Sequence, residues 1–123
     1  MPLLTQFVVV KDAPFELPNK NPHTFSVSSA ADLKVSGLVT FMLHNFGEGA
    51  PQRFVGSIND KDFYSRVFNG GWYGCVQEVL QPGLLRHGEN TIRFCSEFTE
   101  ESGDYGTAPI ISDVVVWWRD NVA

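Results

Sequence analysis

Three histidines, His23, His44 and His87, lie far apart in the chain and form no His-x-x-x-His or Cys/His pattern of the kind that holds zinc. His44 falls near the end of a strand, where it reads either as a site residue or as a structural histidine satisfied by its neighbours. Glu97, Glu100, Glu101 and Asp104 form an acidic cluster. Two carboxylates flanking a glycosidic bond can hydrolyse it, but any solvated loop rich in acids looks the same. No Gly-x-Ser-x-Gly elbow, phosphate loop or dinucleotide fingerprint is present. The expectation is therefore a protein that is not an enzyme, with no catalytic residue to assign.

What remains is the chemistry of binding. Recognition of a sugar needs a flat aromatic face against the C–H side of the ring and fixed polar groups for its hydroxyls, an arrangement common to small-ligand sites. Trp72, Tyr73 and Tyr105 can supply faces, and Asn69, Asp104, Glu48, Arg53 and His44 can supply hydrogen bonds. Each has a plainer reading. Trp72 opens a strand and suits a core or rim. Tyr73 points away from Trp72, so at most one of them faces a given site. Tyr105, within Gly103-Asp104-Tyr105-Gly106, sits in a turn that has little structural need of an aromatic.

These residues need a scaffold, and the pattern predicts strands. Val39, Phe41 and Leu43 alternate with Leu38, Thr40, Met42 and His44 inside a strand over Ser36 to Phe46. Further strands are expected over Thr5 to Lys11, Thr24 to Ser28, Arg53 to Ile58, Phe63 to Phe68, Trp72 to Leu80, Asn90 to Phe98 and Ile110 to Trp118. The last is an almost unbroken apolar run, which predicts a central strand covered on both sides. Trp117 and Trp118 face opposite ways, one to the core and one open to an interface. Short helical signals occur only at Ala30 to Leu33 and Leu84 to His87. Without crossover helices, parallel βαβ units are excluded. The fold class predicted is all-β: an antiparallel sandwich of about eight strands, one domain over residues 1–123. Alternating strands gather four loops at one end: Asp12 to His23, Gly47 to Gln52, Asn69 to Gly71, and Thr99 to Pro109. The proposed binding residues cluster there.

Composition narrows the partners. Hydrophobic residues make up 43% and charged residues 19% of 123, an ordinary globular balance with a core of useful size. Ten phenylalanines favour strands. A net charge of -5 with no basic run argues against nucleic acid and against a basic membrane patch. No apolar stretch is long enough for a membrane helix. Met1 to Val10 lacks a basic start and a small-residue cleavage site, so it reads as a first strand and not as a signal peptide. The expected location is cytoplasmic, or release without a classical signal. Cys75 and Cys95 then read as free, packed thiols, with one bridge left open.

One stretch carries a resemblance. From Phe54 to Phe98 the chain has a strand ending in Ile58-Asn59, a hairpin through Asp60-Lys61-Asp62-Phe63, an aromatic Trp72-Tyr73, and then Leu84-Leu85-Arg86-His87-Gly88-Glu89-Asn90-Thr91-Ile92. A leucine pair followed by Gly-Glu-Asn-Thr-Ile opening a strand resembles the galactose-binding-like jelly roll of carbohydrate-binding modules and glycosidase sugar-binding domains. The closing strand, Asp113 to Trp118, resembles its last strand. The resemblance implies that Leu84 and Leu85 plug one end of the sandwich, that Gly88 takes positive φ, and that Asn90 caps the turn. The family often carries a structural calcium ion. Asp113 stands where an acidic ligand could lie, but no paired acid accompanies it, so no cofactor is assigned.

The expected function is glycan binding, as a lectin-like or carbohydrate-binding module with a glycan or oligosaccharide as partner. Two alternatives stay open: a protein-interaction or self-assembly domain on the same fold, and a small glycoside-active enzyme using the loop carboxylates. A small domain gains avidity by self-association, which leaves a homo-oligomer open as well.

Overall fold

The computed structural model describes residues 3–16, 22–46, 52–68, 72–98 and 110–121. They form β1 (Leu3–Lys11), β2 (Phe15–Glu16), β3 (His23–Val27), β4 (Gly37–Phe46), β5 (Gln52–Ile58), β6 (Lys61–Phe68), β7 (Trp72–Leu80), β8 (Gly88–Phe98) and β9 (Ile110–Asn121). The eight expected strands are all present. The addition is the two-residue β2, too short to leave an alternation in the sequence.

All pairings are antiparallel. One sheet runs β1-β9-β4-β7, with β2 also on β9, and the other runs β3-β8-β5-β6. Leaving β2 aside, successive strands switch sheets except at the β5–β6 hairpin, and the first strand lies beside the last. That is the order of a double Greek-key jelly roll. The sheets are called the β4 sheet and the β5 sheet below.

The core follows from the period of two. Val39, Phe41 and Leu43 of β4 are fully buried, as are Phe54 and Ile58 of β5, Ile92 and Phe94 of β8, and Val114 and Val116 of β9. Phe94 sits at the centre of an aromatic cluster, its centroid 5.1 Å from Phe41, 5.7 Å from Phe54 and 6.2 Å from Phe15.

The β5–β6 hairpin turns through Asn59 and Asp60 at φ 51° and 67°, the two positive angles of a type I′ turn. A bulge between Gly56 and Ser57 then brings Phe63 over the glycine. A Cβ on Gly56 would lie 2.5 Å from the Cζ of Phe63. Gly56→Ala is expected to lose about 1–3 kcal/mol by overpacking, read as a lower urea midpoint. An unchanged midpoint would mean that the Phe63 ring swings clear at no cost.

Several features of the resembling stretch take the expected conformation. Leu84 and Leu85 are buried. Gly88 has φ 82°, where a side chain would be strained. Asn90 is fully buried and caps the turn, donating from Nδ2 to the carbonyls of Arg86 (2.8 Å) and Gly88 (3.1 Å).

Three expectations are corrected. Ala30 to Leu33 and Leu84 to His87 are turns and not helices, because four residues cannot repay helix nucleation. The cysteines are free but exposed, not packed. Cys75 pairs across from Met42 on the outer side of the β4 sheet, and Cys95 lies on the outer side of the β5 sheet, so the sandwich separates them. Finally, β9 is central, but among the described residues only one of its sides is covered. Val114, Val116 and Trp118 face the core, while Val115 and Trp117 remain partly exposed on the outer side.

Candidate functional site

Strand register brings the four loop-bearing ends together. Phe46 pairs with Trp72, Gln52 with both Phe68 and Phe98, and Ile110 with both His44 and Glu16. Glu48, Asn69, Asp104 and Tyr105 lie outside the described residues, as do Glu100 and Glu101. Trp72 opens β7, but its side chain also falls outside the description. The three expected site residues whose side chains are described are His44, Tyr73 and Arg53.

His44 and Tyr73 come together. Both point outward from the β4 sheet, and their rings meet edge-on with centroids 5.1 Å apart. Tyr73 is 65% exposed. Arg53 does not join them. It is on the outer side of the β5 sheet, opposite Val67 and Glu97 in register, and its guanidinium donates to the Ser65 hydroxyl at 3.3 Å. Phe54 beside it is core, and the period of two sends Arg53 the other way. The thickness of the sandwich therefore divides the expected site.

In place of Arg53 stands a pair, Ser112 and Asp113, of which the sequence had marked only Asp113, and that as a candidate acidic ligand of a metal ion. The β4–β9 register shifts between Thr40 and Met42, a bulge whose extra residues include Asp113 at φ 54°. The shift seats Ser112 beneath His44, with Nε2 of His44 2.8 Å from the Ser112 hydroxyl. That hydroxyl donates to Oδ2 of Asp113 at 2.8 Å. Since the serine has one proton and the carboxylate takes it, His44 presents Nε2–H to the serine oxygen. Its Nδ1 is left as an acceptor, with no partner among the described residues. A non-glycine residue at positive φ stores strain that the surroundings must hold in place. Asp113 is held by its hydrogen bond to Ser112 and by its own amide, which donates to the Asp12 carbonyl at 3.2 Å.

This chain is not a nucleophile triad. A base must accept the serine proton and the serine must reach substrate. Here the proton goes to Asp113, and Ser112 is 2% exposed. What the arrangement can do is fix an imidazole beside an open aromatic ring. The other histidines are elsewhere: His23 meets Phe15 edge-on at 4.7 Å, and Nε2 of His87 lies 2.9 Å from the Ala31 carbonyl oxygen. Among the described residues no group of three His, Cys, Asp or Glu is placed to hold a metal ion.

Neither the known family models nor the curated proteins include a match to this chain. Among solved structures, dimeric latent PorU from Porphyromonas gingivalis is similar, with a TM-score of 0.72 over 98% of this chain at 10% identity. The chain corresponds to 13% of the length of that protein. At this identity the likeness shows a shared all-β sandwich fold and nothing about activity.

Proposed function

We propose that this chain is a non-catalytic glycan-binding module of the galactose-binding-like type, with its recognition site centred on Tyr73 and His44. The observation that carries the proposal is the exposed Tyr73 ring beside an imidazole fixed from below by Ser112 and Asp113. An aromatic plate packs against the apolar side of a sugar, and the Nδ1 acceptor takes a hydroxyl proton. Preorganisation of the imidazole spares the entropy of ordering it on binding. The partner in this reading is an uncharged glycan or oligosaccharide. The Leu-Leu…Gly-Glu-Asn-Thr-Ile stretch supports the family assignment.

A glycan array, run with and without calcium, tests the reading. Saturable binding to a related set of glycans is the expected result. Tyr73→Ala is then expected to weaken binding about 10-fold or more, the equivalent of about 1.4 kcal/mol. A blank array under both conditions, or full binding by Tyr73→Ala, would overturn the site.

A second reading, a self-assembly domain, has its own observation in the outer side of the β4 sheet.

A further inference from the structure

At the end of the β4 sheet remote from Tyr73 and His44, a guanidinium lies one row from an indole. Register sets Thr5 of β1 against Arg119 of β9. The next row holds Phe7, Trp117 and Leu38 of β4. The period of two that buries Val116, Trp118 and Asp120 sends Trp117 and Arg119 to the outer side. Thr5, Leu38, Trp117 and Arg119, with Ser36 just ahead of β4, line a cleft of about 150 Å³.

The acids around Arg119 are engaged elsewhere. Asp120 is buried, and its Oδ1 accepts from Nε1 of Trp118 at 2.9 Å. Asp32 lies close, since its amide donates to the Arg119 carbonyl at 2.8 Å, but its Oδ1 accepts from the Lys34 amide at 3.0 Å. Among the described residues the Arg119 guanidinium has no carboxylate partner, and the hydroxyls of Thr5 and Ser36 have no hydrogen-bond partner. The indole, by contrast, is fixed. Nε1 of Trp117 donates to the Thr40 hydroxyl at 3.4 Å, and its ring lies 5.0 Å from that of Phe7, tilted by 39°. The cleft therefore combines a held apolar ring with a guanidinium and two hydroxyls whose hydrogen bonds are unspent.

That combination selects a ligand. The planar guanidinium fork matches a carboxylate through two parallel hydrogen bonds. An indole packs on an apolar ring face, and hydroxyls read hydroxyls. Arg119 is the one charge lining the cleft, and the chain as a whole stands at -5. A polyanion meets net repulsion from such a surface, whereas a single carboxylate meets mainly the guanidinium. A volume of 150 Å³ is below the ~300–1,000 Å³ of pockets for drug-sized ligands, so the occupant is one ring and not a chain.

We infer that the Arg119–Trp117 cleft is a second binding site, for one pyranose ring that carries a carboxylate, a hexuronate. Arg119 takes the carboxylate, Trp117 the ring face, and Thr5 and Ser36 the ring hydroxyls. Leu38 and His44 are six positions apart on β4, about 20 Å. The inference does not rest on the Tyr73–His44 reading, and either can fail alone.

The test is a titration of the ¹⁵N-labelled protein, followed by NMR, with methyl glucuronide, methyl glucoside and acetate at constant ionic strength. Methyl glucuronide is expected to shift the Trp117 Nε1–H and Arg119 Nε–H signals to saturation. Its Kd should be on the order of 1 mM, which suits a ligand of about a dozen non-hydrogen atoms. The glucoside lacks the carboxylate and acetate lacks the ring, so each should bind at least about 10-fold more weakly. Arg119→Gln should weaken the glucuronide about 10-fold, and Arg119→Lys should recover only part of that, since it restores the charge without the fork. Tyr73→Ala should leave the titration unchanged, which separates this site from the first whatever a glycan array shows. No saturating shift by about 50 mM glucuronide would overturn the inference. So would acetate binding as well as the glucuronide, which would mark an adventitious counter-ion only. Full binding by a folded Arg119→Gln, or shifts centred on Tyr73 and His44, would overturn it too.

Discussion

Phe94→Ala is expected to cost about 4 kcal/mol of folding stability, within the ~3–5 kcal/mol found for removing a buried phenylalanine. The position is severe because one ring serves both sheets. Phe94 is 1% exposed on β8, stacks on Phe54 of β5 at 5.7 Å and 23°, meets Phe41 of β4 at 5.1 Å, and takes the edge of Phe63 at 6.4 Å. Losing it leaves a cavity walled by rings whose own positions depend on it, so collapse recovers little. Small domains hold about 5–15 kcal/mol in total, and the variant should therefore unfold at a far lower guanidinium concentration. Phe94→Leu keeps most of the volume and should lose no more than about 1.5 kcal/mol. A loss below about 1 kcal/mol for the alanine variant would show that the cluster is not the shared centre of the sandwich.

The strands of this fold are legible because burial on one side imposes a period of two. Val39, Phe41 and Leu43 against Thr40, Met42 and His44 identify β4 and its buried side together. Punctuation was as informative: Asn59-Asp60 marks a turn that needs two positive φ values, and these residues tolerate them. β2 was missed because two residues hold no period. Phe15 joins the core through its pairing with Ile111, a contact made by a distant strand. The apolar run of β9 predicted more cover than the described residues supply, since a run reports the demand for burial and not the layer that meets it.

The candidate site was only partly legible. Tyr73 and His44 could be named from the sequence as an aromatic and a polar group near the loop-bearing end. That Arg53 faces away was readable from Phe54, had the two sheets been assigned. Ser112 as a partner for His44 was not readable. Its place depends on the β4–β9 bulge, and a bulge is a matter of register between strands 68 residues apart in sequence. The one available signal was Ser112-Asp113 itself, a polar pair set inside an apolar run.

Asn90→Ala is expected to be the most damaging polar substitution, at about 2–3 kcal/mol. The side chain is fully buried and makes four hydrogen bonds. Oδ1 accepts from Nδ2 of Asn59 at 2.8 Å and from the Arg86 amide at 3.0 Å, while Nδ2 donates to the Arg86 and Gly88 carbonyls. Alanine leaves these groups without their partner, at about 1–3 kcal/mol for each that water cannot reach. Arg86 and Gly88 lie in an exposed turn, so water recovers part of the loss. Asn59 is the second half of the same network: it accepts from the Thr91 amide at 3.0 Å and donates to the Leu84 carbonyl at 3.1 Å. The two asparagines thus tie the β5–β6 turn to the Leu84–Leu85 plug and to the start of β8. If they act as one unit, Asn59→Ala and Asn90→Ala will not add. The double variant should be about 1 kcal/mol less destabilised than the sum of the single ones, a coupling typical of groups in one network. Hydrogen exchange gives the local readout, with the Arg86 amide losing protection in Asn90→Ala and the Thr91 amide in Asn59→Ala. Strict additivity with unchanged exchange at both amides would mean that the turn and the plug are held by packing alone.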